Sequence, residues 1–299
     1  MGKILILGAA GMLGHNLFYY LSEKGGHEVL GTVRSDKELS GWLPPELLKK
    51  VRSGVDVNHF ESIVSVIADF QPDIVINCVG IIKQVSAAQD PLITLTVNAL
   101  LPHRIALLCK ATSARFIHVS TDCVFDGVKG NYLESDISNA TDLYGRTKFL
   151  GEVLYPHCVT LRTSIIGHEL KGRYGLVEWL LAQKVKARGF TKAIYSGFPT
   201  VELSRIINDY VLPNPELKGL YHVSADPISK FELLKIVATE YKKKIEIEPE
   251  GELQPDRSLD SSLFRTLTGY TPPSWPQLIE QMHLDYLHFP FNKVFLGVK

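Results

Sequence analysis

Cysteine is scarce, with four residues in 299, at positions 78, 109, 123 and 158. None forms a Cys-x-x-Cys pair and none has a histidine at ligand spacing, which excludes a disulfide framework and a structural zinc site. Reduced thiols in a cytoplasmic protein without a metal are expected. An excess of charge of either sign is missing too, since 32 Lys plus Arg face 32 Asp plus Glu. The longest basic run is Lys242-Lys243-Lys244, a solvated helix end, so nucleic acid is not an expected partner. No apolar run approaches membrane-spanning length. The apolar start, Lys3 to Leu7, passes directly into a glycine turn instead of a cleavable signal, so neither export nor a membrane span is expected. Repeats and low-complexity tracts are absent.

What is present is a globular composition, 45% hydrophobic, in which short β-branched runs alternate with helical periodicity. Ile4–Leu7, Glu28–Val33, Ile74–Cys78, Phe116–Ser120, Val159–Leu161 and Tyr221–Val223 read as strands buried on both faces. Helices are expected near Met12–Glu23, His59–Asp69, Leu100–Lys110, Tyr144–Leu154 and Leu203–Val211. This βαβ series predicts an α/β fold, a Rossmann-type doubly wound parallel sheet. After Ile165 the rhythm breaks. Arg173–Arg188 reads as helical, Phe198-Pro199 as a turn, and prolines are frequent from Pro227 to Pro276. The expected division is a nucleotide-binding domain of residues 1–164 plus about 199–224. A smaller α+β substrate-binding lobe takes about 165–198 plus 225–299. The last ten residues, including Phe291 and Phe295, are apolar without a period.

Gly8, Gly11 and Gly14 span the junction between the first strand and the first helix, in Gly8-Ala9-Ala10-Gly11-Met12-Leu13-Gly14. Such a turn presents free backbone N–H groups and the positive end of a helix dipole, and missing side chains let a pyrophosphate approach. A dinucleotide is the expected ligand, held by Gly8, Gly11, Met12, Leu13 and Gly14. At the end of the second strand, residues 32, 33 and 34 include no acid to meet ribose hydroxyls. Arg34, twenty residues after Gly14, suits a 2′-phosphate instead, which favours NADPH, with NADH also open because Asp36 follows closely. Arg34 also reads as an ordinary loop arginine. Asp56, with Val57 beside it, is either a contact to the adenine edge or a plain surface acid.

Tyr144 and Lys148 stand at i and i+4, on one helix face. The pairing alone carries little, since Tyr20 and Lys24 repeat it. Tyr144 differs by following Ser120-Thr121-Asp122, where hydroxyls end a buried strand at the sheet edge that binds ligands. Reduction of a ketone builds alkoxide charge that needs a proton and a hydrogen bond. Tyr144 is the expected donor, Lys148 its cationic partner, and Thr121, with Ser120 in support, the anchor of the carbonyl oxygen. Bringing a tyrosine from about 10 to about 7 takes roughly 4 kcal/mol. One cation at about 4 Å and an effective dielectric of about 20 supplies that amount.

The chain resembles the extended short-chain dehydrogenase/reductases, and among them the dTDP-4-dehydrorhamnose reductase family, over almost its whole length. The resemblance rests on the ordered series of the glycine turn, Ile76-Asn77-Cys78-Val79-Gly80, Ser120-Thr121-Asp122, Phe125-Asp126-Gly127, Tyr144/Lys148, Leu161-Arg162-Thr163-Ser164 and Gly197-Phe198-Pro199-Thr200. It implies NADPH-dependent reduction of a nucleotide-linked 4-keto-6-deoxyhexose in deoxysugar and surface polysaccharide biosynthesis. It also implies Thr121, Tyr144 and Lys148 as catalytic trio, and Cys78, Val79, Gly80, Asn98 and Thr163 beside the cofactor. Substrate contacts are expected from Asp122, Val124 and Phe125, and from Arg257 for the diphosphate. Lys83 is either a further contact or a solvated loop lysine. Cys123 stands where related dehydratases carry a catalytic Glu, which argues against dehydration. Three alternatives remain: a homodimer in place of a monomer, an epimerase retaining NAD, and a non-catalytic regulatory subunit of the same fold.

Overall fold

Apolar runs such as Ile-Leu-Ile-Leu at 4–7 have no polar face to offer water, so they are stable only between two layers of helices. The computed structural model, which describes residues 2–84 and 89–290, shows that arrangement. In chain order the first part contains β1 (Lys3–Leu7), α1 (Met12–Lys24), β2 (Glu28–Thr32), α2 (Pro45–Leu48), β3 (Val51–Arg52), α3 (Phe60–Phe70) and β4 (Ile74–Asn77). There follow α4 (Pro91–Thr94), α5 (Leu101–Ala111), β5 (Arg115–Thr121), α6 (Leu143–Leu150) and β6 (Cys158–Thr163). The remainder comprises β7 (Ile165–Ile166), α7 (Leu176–Ala182), β8 (Lys186–Phe190), β9 (Ile194–Tyr195), β10 (Phe198–Pro199), α8 (Thr200–Ile206) and β11 (Gly219–His222). The last described elements are β12 (Ile228–Ser229), α9 (Lys230–Glu240), β13 (Glu246–Glu250), α10 (Ser262–Thr268) and α11 (Trp275–His288). Phe291 and Phe295 lie outside the described residues.

The main sheet has the order β11-β6-β5-β4-β1-β2-β3, every pair parallel. The order reverses between β1 and β4, the switch point at which open α/β sheets bind ligands. Leu7 is in register with Asn77 and Thr121 with Thr163, so four strand ends meet along one edge. Residues 199–223 return to this sheet as expected, through β11.

Several expectations need correction. Only Leu176–Ala182 of the segment 173–188 is helical, and Lys186–Phe190 is a strand paired in parallel with Glu246–Glu250. Its alternating burial fits a strand, and Gly189 sits at a buried position where a Cβ would come within 2.8 Å of Phe231 and Ile247. Phe198-Pro199 is not a turn but pairs with Ile165–Ile166. Proline is tolerated there at the end of a two-residue edge strand. The helix carrying Tyr144 stops at Leu150, not near 154. A short strand at Val51–Arg52 closes the far edge of the sheet.

One long helix also departs from expectation. α4 and α5 join through a π-helical stretch, Leu95–Leu100, into a continuous helix Pro91–Ala111. Its length and apolar composition suffice for a membrane span, but half of its most apolar stretch is buried within the fold, as for a core helix.

One apolar core packs α1, α8, α9 and α11 together, with Leu17, Phe18, Leu21, Leu203, Ile207, Leu234 and Ile279 all buried. The core on the other face lies under α3 and α5. α1, which leaves the glycine turn, is thereby fixed to the C-terminal part of the chain. Asn16 Nδ2 donates to Asp285 at 2.6 Å, and Ser204 donates to Asn16 Oδ1 at 2.9 Å.

Candidate active site

The glycine turn is shaped by contacts that side chains would block. Gly8 has φ +84°, a left-handed conformation that favours glycine, and a Cβ there would lie 2.9 Å from a Val79 methyl. At Gly14 a Cβ would lie 2.0 Å from the Gly8 carbonyl oxygen, so α1 meets the turn at backbone distance. Gly11 opens α1 with no side-chain cap, leaving first-turn N–H groups directed outwards. The turn is tied to the second strand through Ala9 N–H to the Thr32 carbonyl, 2.9 Å. A dinucleotide pyrophosphate fits this cradle. Leu13 is buried in the core, so only its backbone can serve the ligand; Met12 is half-buried.

Around the switch point, Asn77 Oδ1 accepts the Val79 N–H at 3.1 Å. Both ends of the buried Asn98 amide bind Ile81, accepting its N–H at 2.8 Å and donating to its carbonyl at 3.0 Å. Asn98 thus positions the segment carrying Val79 and Gly80, while burial pushes the Cys78 thiol up to about 12. Thr163 is buried and donates to the Ser164 carbonyl. Asp56 accepts from Asn58, in its own turn, and Val57 packs on the second core.

The three residues expected to act in catalysis lie at the end of β5 and on the facing side of α6. Asp142 caps α6 by accepting the Gly145 N–H at 2.8 Å, and a Cβ on Gly145 would lie 2.2 Å from the Cys123 carbonyl. That close approach presses the first turn of α6 onto residues 122–124 and brings half-buried Tyr144 beside Thr121, whose side chain favours the phenolate by hydrogen bonding. Thr121 also accepts from Cys123 N–H and donates to Asp122. Lys148 is buried, donates to the Val119 carbonyl at 2.9 Å, and lies 4.0 Å from a Cβ built on Gly80. Burial lowers its ammonium to about 8, opposed by the Glu152 carboxylate.

The Tyr144 phenol lies above its ordinary value in this structure, not below it as the sequence suggests. Burial, followed by the Cys123 thiol, pushes the phenol upward. The Lys148 ammonium is held at the Val119 carbonyl, and the tyrosine remains a protonated donor.

Other expected residues divide. Ser120 is buried and donates to Glu152 at 2.8 Å. Glu152 is also held by a buried bidentate pair with Arg162, both bonds 2.7 Å. Val124 and Phe125 are fully buried, Phe125 stacked on Tyr132 at 4.0 Å, so as substrate contacts they have backbone only. Arg257 donates through Nε to the Phe125 carbonyl at 2.8 Å, and its charge and that of Lys230 stabilise the Asp122 carboxylate, whose pKa burial raises. Lys83 is ion-paired with Asp142 at 2.9 Å, bracing the cap of α6.

Arg34 is at the end of β2 as expected, but its guanidinium is held by Glu38. Sequence reasoning assigned no role to Glu38, Glu152 or Lys230, and marked Arg162 only as part of a motif. For Glu152 a signal existed: it continues the Tyr144/Lys148 face by another four residues. His118, buried on β5 beside Lys148 with its Nδ1 3.2 Å from Asn77, was also missed and had no signal beyond its strand position.

A parallel sheet with this strand order, a glycine turn at its switch point and a Thr/Tyr/Lys set beyond β5 define an extended short-chain dehydrogenase/reductase. The RmlD substrate binding domain family matches residues 2–286, and the chain belongs to that family. It is 28% identical to a dTDP-4-dehydrorhamnose reductase of Aggregatibacter actinomycetemcomitans, over 76% of this chain and 74% of that protein. It is also 26% identical to the methionine adenosyltransferase 2 subunit beta of Xenopus tropicalis, over 92% of this chain and 80% of that protein. The dTDP-4-dehydrorhamnose reductase of Bacillus anthracis, solved in complex with NADP, superposes with a TM-score of 0.79 at 22% identity, covering 95% of this chain and 99% of that one.

Proposed function

We propose that this protein is an NADPH-dependent reductase of a nucleotide-linked 4-keto-6-deoxyhexose, resembling the dTDP-4-dehydrorhamnose reductases. The observation that carries the reading is the meeting of Thr121, Tyr144 and Lys148 at the end of β5, beside the glycine turn. The bound cofactor supplies a hydride to the carbonyl carbon. Thr121 donates a hydrogen bond to the carbonyl oxygen, and Tyr144 delivers its phenolic proton as the C–O⁻ charge forms. Solvent then reprotonates the phenolate. Lys148 stabilises that phenolate once the carbonyl oxygen has taken the proton, the stage at which its charge counts most. Gly8, Gly11 and Gly14, with the backbone of Met12 and Leu13, hold the pyrophosphate. Residues 1–164 with 199–224 form the nucleotide lobe, and 165–198 with 225–290 the sugar lobe, from which Arg257 faces the diphosphate.

The protein is placed in the cytoplasm, in keeping with its four unpaired cysteines. Its partner is a second copy of itself, joined through the exposed apolar side chains of Leu92, Leu95, Leu100, Phe149 and Leu150.

The test is NADPH oxidation, followed by absorbance, with dTDP-, UDP- and GDP-linked 4-keto-6-deoxyhexoses and an NADH control. Turnover with one of them is expected and names the substrate. The coverage by methionine adenosyltransferase beta subunits favours one alternative, a nucleotide-binding subunit without turnover. Tight NADPH binding with no compound reduced would support it.

A further inference from the structure

The end of β2 holds a polar cluster that the cofactor reading uses only in part. Ser35 caps a short 3₁₀ turn, Asp36–Glu38, that brings Glu38 back to the strand end. There Oε2 accepts the Arg34 backbone N–H at 2.9 Å, and Oε1 accepts from the Arg34 guanidinium at 2.9 and 3.2 Å. The acid is the anchored member of the pair, its side chain 21% exposed against 70% for Arg34. The backbone beneath is fixed as well, since Val33 N–H donates to the Arg52 carbonyl at 3.0 Å and Val55 N–H to the Val33 carbonyl at 3.1 Å.

The chemistry of the two possible ribose groups differs at such a pair. A 2′-phosphate must take Arg34 from Glu38, or share it while facing a carboxylate of like charge. A 2′-hydroxyl is a donor and needs a fixed acceptor, which Glu38 provides without breaking its bond to the Arg34 backbone. Residues 32–34 contain no acid, yet the fold supplies one from position 38.

We propose that Glu38 sets the choice of cofactor: its carboxylate accepts the ribose 2′-hydroxyl of NADH and competes with the 2′-phosphate of NADPH for Arg34. The inference rests on the dinucleotide reading of the glycine turn. NADPH and NADH are titrated separately by fluorescence against the whole chain, the Glu38→Gln variant and the Arg34→Gln variant, with no sugar present. The unchanged chain is expected to bind both nucleotides. Glu38→Gln should tighten NADPH and weaken NADH, each by roughly fivefold, the scale of one exposed charged contact. Arg34→Gln should weaken NADPH and leave NADH nearly unaltered. If Glu38→Gln leaves both dissociation constants within about twofold, Glu38 is a surface ion pair and the inference is overturned. If the unchanged chain binds neither nucleotide, the glycine-turn reading falls and takes this one with it. The two failures are distinct because the first retains binding.

Discussion

Tyr144 is the side chain on which the proposed chemistry turns, and its environment favours a donor over a base. Replacing it by Phe removes the proton while keeping the ring, so kcat should fall by about 10²–10⁴, with the NADPH dissociation constant little changed by titration. Near-normal turnover would remove Tyr144 from the mechanism. Lys148 sets a second expectation. Its folded value, lowered by burial to about 8, lies below that of an ordinary lysine, so it is cationic below pH 8 and neutral above. Tyr144 is pushed up and stays protonated across that range. The reductive kcat/KM for NADPH, which reports the free enzyme, should therefore be level at neutral pH and decline as pH rises through about 8. A level profile to pH 10 would mean that the lysine charge does not enter. At this scale the sequence marked Thr121, Tyr144 and Lys148 as candidates but not the partners that hold them. Lys148 to the Val119 carbonyl and Glu38 to Arg34 both depend on where a backbone bends, which residue type alone does not report.

Among the elements, α1 and its turn have the least tolerance. A Cβ at Gly14 would meet a backbone carbonyl at 2.0 Å, and neither the strand nor the helix can retreat from the sheet. Gly14→Ala should lower the melting temperature and abolish the rise that NADPH gives, since forced overpacking costs about 1–3 kcal/mol. A Cβ at Gly11 would find nothing nearer than the Gly8 oxygen at 3.5 Å. Gly11→Ala should therefore melt normally without nucleotide and lose only NADPH affinity. Equal melting for the two variants would show that the turn is not built by this contact. Six of the seven strands of the main sheet were legible because burial on both faces forces apolar runs, while the two-residue edge strand β3 was too short to show one. β8 was not legible, because Lys186-Ala187-Arg188-Gly189-Phe190 buries only alternate residues, two of them small. β10 was hidden by its proline, and the π-helical stretch at 95–100 made α4 and α5 read as something shorter than one helix.

Across the whole molecule, the alternation of strands and helices announced a doubly wound parallel sheet, and the structure supplies the strand order that the alternation does not contain. Burial of Val124 and Phe125 depended on Tyr132 and Arg162 folding over them, contacts that sequence spacing does not contain. The proposed self-association belongs to this scale. Leu92, Leu95 and Leu100 line the outer side of the long helix, and Phe149 and Leu150 project from neighbouring α6; all five are exposed. Exposed apolar clusters of this kind usually mark an interface, and a stable one buries about 800 Å² per partner. Sedimentation velocity at micromolar concentration should find a dimer, and the double variant Leu100→Asp, Phe149→Asp should sediment as a monomer with its melting transition largely retained. A wild-type chain that sediments as a monomer at every concentration would overturn the dimer while leaving the active site untouched, because Thr121, Tyr144 and Lys148 all come from one chain.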